Sequence, residues 1–312
     1  MKKWQANLGL LLVAMIWGGS FLATDNLLNY FDPLNLQVIR NFIGCILLII
    51  IFFKKFIRVS KKTVLIGFLF GLLFLLANTV QSIGLQYTTV SKNAFLTANY
   101  VLFIPLVSLI FFKEIPTKYI LVGLCFMLLG YFLIIFEINV FSISSYQNLK
   151  EEMHFNIGDF LTVVSALLFA LHIIAVNHLI KDQDPIQVLI FQLLAASLLG
   201  AIYMLIFNVD FQLSKFSAIS EFGFSLFYMV VLSSIICFGG QLIFQKYTDS
   251  ASAGILMSLE SAFAAMFAVL FNYDDFYSGL LFGGALVIIG IITAETNLSF
   301  LKKKKSKEKI LK

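Results

Sequence analysis

Charge is scarce in this chain: Asp, Glu, Lys and Arg make up 12% of its 312 residues, against 60% that are hydrophobic. A soluble domain carries about twice that charged fraction, so an ordinary globular protein is excluded. Cysteine is equally sparse. Cys45, Cys125 and Cys237 all fall within long apolar runs at no metal-type spacing, which speaks against structural disulfides and a thiolate metal site. The motifs of intramembrane or nucleotide-driven chemistry are missing as well: there is no HExxH, no GxSxG, no paired Asp within an apolar run and no nucleotide-binding loop. Among basic side chains only Arg40 sits well inside an apolar run, which argues against multiply phosphorylated ligands.

Long apolar runs are what the chain has instead. About 20 mainly apolar residues cross the hydrocarbon core as a helix. Such runs recur at 8–28, 34–53, 63–83, 92–112, 118–137, 158–178, 187–207, 222–244, 252–271 and 277–295. Backbone groups facing lipid must be bonded within their own segment, so the expected fold is an all-α membrane protein with ten transmembrane helices. The first run follows MKKWQAN, is too long for a secretion signal and lacks a small-residue cleavage pattern, so it reads as a retained helix.

Placing the loops alternately on two sides gathers Lys2, Lys3, Lys54, Lys55, Arg58, Lys61, Lys62, Lys113, Lys118, Lys181, Lys246 and the tail LKKKKSKEKILK on one side. The other side receives only Lys92, Lys150 and Lys215. Basic loops stay cytoplasmic, so both termini are expected inside, in the cytoplasmic membrane. The tail either anchors this topology or attracts anionic lipid, at about 1 kcal/mol per lysine.

An internal repeat accompanies the charge pattern. A shift of 160 residues carries Gln81 onto Gln241, Tyr87-Thr88 onto Tyr247-Thr248, Gly123 onto Gly283 and Gly130 onto Gly290. Upstream, a shift of 152 carries Asp32-Pro33 onto Asp184-Pro185, Trp17 onto Phe169 and Ser20 onto His172. Each copy holds five helices, and an odd number makes the second enter the membrane from the opposite side. The expected organisation is a cytoplasmic N-terminus (1–7), a first five-helix repeat (8–137), an external connector (138–157), an inverted second repeat (158–296) and a polybasic cytoplasmic tail (297–312). Inverted repeats are characteristic of carriers that alternate access around a midplane site.

Polar side chains inside the runs mark where such a site would be. Glu260 stands near the middle of GILMSLESAFAAMF, and a charge at that depth costs about 2.5–3.5 kcal/mol on insertion scales. It reads as a proton-coupling group, a ligand for an amine, or a protonated packing residue. Stripes at helical spacing carry Trp17, Ser20 and Thr24; Phe74, Asn78 and Gln81; Ser165, Phe169 and His172; and Ser234, Cys237, Gln241 and Gln245. Asn99 and Tyr100 occupy the middle of the fourth run, ahead of Pro105, which is expected to break that helix. Arg40 reads as a carboxylate ligand or as a side chain snorkelling to the interface. GFLFG at 67–71 forms a small-residue packing surface.

The stretches AMIWGGSF, DPLNLQVIR, GLQYTTVSKNAFLTANYVLFIPL, FFKE, GQLIFQKYTDSASAGILMSLESAFAAMFAVLF and FGGALVIIGII resemble, in order and duplication, the two halves of an EamA-type carrier of the drug/metabolite transporter superfamily. That resemblance covers roughly residues 8–296. It implies ten helices in two inverted five-helix repeats, cytoplasmic termini, and a cavity formed by helices 1, 3, 4, 6, 8 and 9. It also implies a small organic solute, such as an amino acid, metabolite or drug, and frequently export. Trp17, Arg40, Leu259 and Glu260 fall on the family pattern. Two positions depart from it: Ser261 replaces the Pro usual after the Glu, which bears on whether the ninth helix is broken, and NYDD replaces the usual closing Gly-Glu, with Asp274 opposite Glu114.

The resulting expectation is a secondary carrier and not an enzyme. Trp17, Asn78, Gln81, Asn99, Tyr100, His172 and Gln241 bind the solute, and Glu260 exchanges a proton. A proton-independent exchanger is the alternative, and a channel stands further off. The expected partners are the solute, membrane lipid and protons, with no cofactor, metal or nucleic acid.

Overall fold

The computed structural model describes residues 1–113, 115, 117–135, 138 and 156–296. Glu114, Lys150, His154, nearly all of the 138–157 connector and the 297–312 tail lie outside the described residues.

Every regular element among the described residues is helical. In chain order these are α1 (Lys3–Leu28), α2 (Pro33–Ile51), α3 (Phe53–Ile57), α4 (Lys61–Leu85), α5 (Val90–Thr97), α6 (Tyr100–Phe112), α7 (Lys118–Ile135), α8 (Ile157–Leu179) and α9 (Pro185–Ile206). A 3-10 turn (Leu213–Ala218), α10 (Ile219–Phe227), a π-helical stretch (Tyr228–Cys237), α11 (Phe238–Phe244) and a second 3-10 turn (Gln245–Tyr247) follow. The chain continues with α12 (Ser250–Met257), α13 (Glu260–Leu270) and α14 (Ser278–Thr296).

Among the described residues, eight helical runs are long and apolar enough to cross a membrane: Lys3–Leu28, Pro33–Ile51, Lys61–Leu85, Val90–Phe112, Ile157–Leu179, Pro185–Ile206, Leu213–Tyr247 and Ser250–Leu270. The fifth and tenth expected spans are present as the shorter apolar helices Lys118–Ile134 and Ser278–Ala294. Large apolar side chains point outward along these helices, with Ile50, Leu65 and Phe224 each at least 70% exposed. Such a surface would drive association in water, whereas acyl chains solvate it.

Helix starts follow from local chemistry. Pro33 and Pro185 open α2 and α9, where a missing N–H costs nothing, behind Asp32 and Asp184 at the cap positions. Ser60, Thr89 and Asp249 cap α4, α5 and α12 by accepting a backbone N–H, and Asn156 and Asp159 form a reciprocal capping box on α8.

The chain forms two compact units. One comprises Met1–Ile104 with Phe155–Asp274, the other Pro105–His154 with Asp275–Lys312. In the first, α4 packs on α8 and α9, while the segment from α10 through the π stretch to α11 packs on α1 and α2. Likewise α5 meets α8, and α12 meets α1. Under the 160 and 152 shifts these contacts exchange with one another. The GFLFG surface lies on α9, where a Cβ on Gly71 would stand 2.5 Å from the Gln192 carbonyl oxygen. In the second unit α7 and α14 run antiparallel through their glycines: a Cβ on Gly123 would lie 2.5 Å from the Gly290 oxygen, and one on Gly290 2.5 Å from that of Gly123. Gly130 and Gly283 face each other in the same way, and the Tyr277 hydroxyl bonds the Ile134 carbonyl at 2.7 Å.

Two runs are interrupted at matching places. The fourth breaks between α5 and α6, at Ala98-Asn99, and the ninth between α12 and α13, at Ser258-Leu259. At the first break Asn99 N–H bonds Leu96 O (3.2 Å) and Val101 N–H bonds Ala98 O (3.1 Å); at the second Leu259 bonds Leu256 (3.4 Å) and Ser261 bonds Ser258 (3.2 Å). These are the same contacts displaced by 160 residues. The expected break at Pro105 is therefore corrected: Pro105 lies inside α6, and the interruption falls before it. A prolyl ring crowds the carbonyl four residues back, here Val101, so its disturbance lies on the N-terminal side. The ninth run breaks without proline, because the Ser258 and Ser261 hydroxyls each bond a carbonyl three residues back at 2.8 Å and compete with helical bonding.

Polar contacts tie loops together in two separate sets. Lys3 pairs with Asp249 (3.3 Å), Lys55 with Asp184 (2.5 Å), and Lys246 donates to the Gln183 carbonyl (2.8 Å). The other set holds Lys92–Asp159 (2.9 Å), Ser91 N–H to Asp274 (2.8 Å), and Gln212 to Asp32 (2.6 Å). Each set joins only loops that the charge pattern assigns to one side. Asp274, the departure in NYDD, thus acts on the start of α5.

Candidate functional site

Trp17 and Ser20 stand three residues apart on α1 and therefore share one face, which is turned to the interior. Ser20 donates back to the Trp17 carbonyl at 2.7 Å, which fixes its hydroxyl beside the indole. Trp17 in turn packs its ring on Phe238 of α11 at 4.8 Å between centroids, and Phe238 meets Phe74 of α4 edge-on at 4.4 Å. This aromatic cluster walls one side of a hollow inside the first unit.

Seven of the eight residues singled out in the sequence line this hollow: Trp17, Asn78, Gln81, Tyr100, His172, Gln241 and Glu260. They come from α1, α4, α6, α8, α11 and α13. Ser20, Phe21, Phe169, Ile173, Ser233, Phe238 and Met257 complete the lining. Asn99 is not among them: it stays half-buried and its amide bonds the Leu96 carbonyl at 3.0 Å, closing the turn between α5 and α6.

Glu260 is the first residue of α13 and only 6% exposed. The break just before it sets the carboxyl at the start of this helix, on the wall of the hollow. The Tyr100 hydroxyl, at the matching start of α6, faces the Glu260 carboxyl, and Cys237 lies nearby. The 160 shift carries Tyr100 onto Glu260, so equivalent positions meet across the hollow.

Other groups are held by their own helices or neighbours. Gln81 donates to the Thr97 hydroxyl at 2.9 Å, and Gln241 to Gln245 at 3.2 Å, whose amide bonds the Ile173 carbonyl at 2.6 Å. His172 stands edge-on to Phe70 and beside Gln192 of α9. Trp17 Nε1 and Gln241 Oε1 are buried without a hydrogen-bond partner. Such atoms are normally satisfied, so both are open to a bound molecule or water.

Arg40 does not snorkel. It is 1% exposed, its Nη2 donates to Asn78 Oδ1 at 2.7 Å, and its guanidinium lies 5.2 Å from the centre of the Phe74 ring. It lines a second, smaller chamber that shares Ser20, Phe21, Asn78 and Gln81 with the main hollow.

Two features escaped the sequence reading. The π stretch Tyr228–Cys237 brings Ser233 into the lining, and the Tyr228 hydroxyl locks this stretch to α1 through the Ile16 carbonyl at 2.7 Å. π-Helical turns concentrate at functional sites, but their sequences follow no hydrophobic period that would reveal them. Gln192, buried among apolar neighbours on α9, was legible as a lone polar residue in an apolar run.

The EamA-like transporter family model matches residues 4–136 and again 156–295. An uncharacterized transporter of Archaeoglobus fulgidus is 27% identical over 292 residues, spanning 94% of this chain and 86% of its own. A second uncharacterized transporter of the same organism is 25% identical, over 92% of this chain and 96% of its own. A crystal structure of another protein superposes with a TM-score of 0.69 at 17% identity, covering 95% of this chain and 98% of that one, a likeness of fold.

Proposed function

Because the chain belongs to the EamA-like transporter family, we propose that it is a secondary carrier which moves a small organic solute outward across the cytoplasmic membrane by alternating access. In this reading ten helices form two inverted five-helix repeats with both termini cytoplasmic. Support for the repeat comes from the paired breaks at Ala98-Asn99 and Ser258-Leu259, the exchanged helix contacts and the crossed glycines of α7 and α14. The grouping of loop contacts into two sets supports the alternation of sides.

One observation carries the functional reading: polar side chains from six helices of both halves converge on a single hollow that includes one carboxyl group. Carriers with inverted repeats bind at such a place, often where discontinuous helices expose their ends. Gln81, His172 and Gln241 orient the solute, Asn78 holds the chamber edge, and Trp17 and Tyr100 cover its apolar part. Asn99 sets the turn that positions Tyr100. Glu260 takes up and releases the coupling proton, facing Tyr100, His172, Gln241 and Cys237.

The test uses purified protein in liposomes and a solute identified by thermal stabilisation. Uptake should saturate, show counterflow and respond to an imposed pH gradient. Glu260→Gln should lose at least about tenfold of the gradient-driven rate while keeping counterflow, as loss of a proton-transfer group does. Full pH-driven transport in Glu260→Gln would remove the coupling role and leave a proton-independent exchanger. Flux without saturation would indicate a channel.

A further inference from the structure

Arg40 is a permanent cation in a buried place. Its guanidinium has one hydrogen bond, to Asn78, and one ring face, that of Phe74; Nε has no partner. No carboxylate pairs with it among the described residues. Ser20, Thr24, Asn78, Gln81, Ser82 and Asn93, the other polar side chains of its chamber, are all neutral. A buried charge needs an opposite charge or full hydrogen bonding; Glu260, the carboxyl of the adjoining hollow, forms no ion pair with Arg40, and Asn78 is the one hydrogen-bond acceptor it has among the described residues.

The chamber adjoins the main hollow, and Ser20, Phe21, Asn78 and Gln81 belong to the walls of both. A molecule occupying both spaces would meet the guanidinium with one end. A planar carboxylate is the group that matches two parallel N–H donors of an arginine. One cation, with no second Lys or Arg in the lining, fits a single negative charge and not a phosphate dianion. The walls beyond it, Trp17, Phe21, Phe238 and Met257, are apolar or aromatic.

We propose that Arg40 recognises a carboxylate on the transported solute, so that the solute is a small organic acid whose apolar body lies against Trp17 and Phe238. This assignment rests on the reading of the hollow as the transport site. The competing role is structural, Arg40 pinning α2 to α4 through Asn78.

Calorimetric titration of the purified full chain with 3-phenylpropionate and with its neutral amide separates these roles. The acid should bind at least about tenfold more tightly than the amide, as a charge-assisted bidentate contact requires. Arg40→Lys should keep a reduced preference, because it retains the charge and loses the fork. Arg40→Gln should abolish the preference. Absence of an acid preference in the wild type, or one that persists in Arg40→Gln, overturns the proposal. If Arg40→Gln does not fold, the wild-type comparison and Arg40→Lys decide it. Acid-selective binding without counterflow would remove the carrier reading and leave the anion site standing. Counterflow of a neutral solute untouched by Arg40→Gln would do the reverse.

Discussion

At the scale of single residues, polarity in an apolar setting proved informative because hydrocarbon makes it expensive. Trp17, Asn78, Gln81, Tyr100, His172, Gln241 and Glu260 stood out for that reason, and all face the hollow. Asn99 stood out equally but turns to its own backbone. Composition alone does not separate a side chain that serves a cavity from one that serves a turn. Outside the spans, Asp184 permits a prediction on pH. Burial pulls its carboxyl upward, but the Lys55 ammonium and the Ile186 and Gln187 N–H groups outweigh this and hold it below its ordinary 3.8. A carboxyl so depressed stabilises the fold fully above its ordinary value, and that contribution is lost as pH falls through the folded value. The unfolding temperature in detergent should therefore decline on acidification from about pH 5 toward pH 3, and Asp184→Asn should lower the neutral-pH value and flatten this decline. An unchanged acid limb in Asp184→Asn would show that the contact with Lys55 contributes nothing.

At the scale of elements, the positions of the apolar runs were legible from length and hydropathy, eight of them as helices long enough to cross a membrane among the described residues, whereas their interior irregularities were not. A proline suggested one break, yet both interruptions sit where Asn99, Ser258 and Ser261 bond carbonyls three residues back. Such side-chain competition is only visible once the rotamers are known. The π stretch was hidden for a similar reason, since it disturbs registry without changing composition. Ion pairs between elements also differ in weight. Lys92–Asp159 links α5 to α8 with the Asp side chain fully buried and Lys92 17% exposed, while Lys3–Asp249 links the equivalent α12 to α1 with both side chains more than half exposed. Breaking a buried pair strands a charge, so Lys92→Ala should lower unfolding stability by on the order of 3 kcal/mol. Lys3→Ala should change it by less than about 1 kcal/mol. Equal effects in detergent denaturation would contradict this ranking.

At the scale of the whole molecule, the account depends on duplication. Sequence identity between the halves was thin, but the displaced hydrogen bonds at the two breaks and the crossed Gly123–Gly290 and Gly130–Gly283 contacts repeat the same geometry. In the proposed carrier, two copies of one motif in opposite senses provide two related conformations, each opening the hollow to one side. Ser20 lines both chambers and is the natural reporter of that opening. The most direct test places a single cysteine at Ser20→Cys, with Cys45, Cys125 and Cys237 replaced by alanine, and measures its labelling by a membrane-impermeant thiol reagent in right-side-out and inside-out vesicles. The account predicts labelling from both faces, with protection by a bound solute in each. Labelling from one face alone, or from neither, would contradict it.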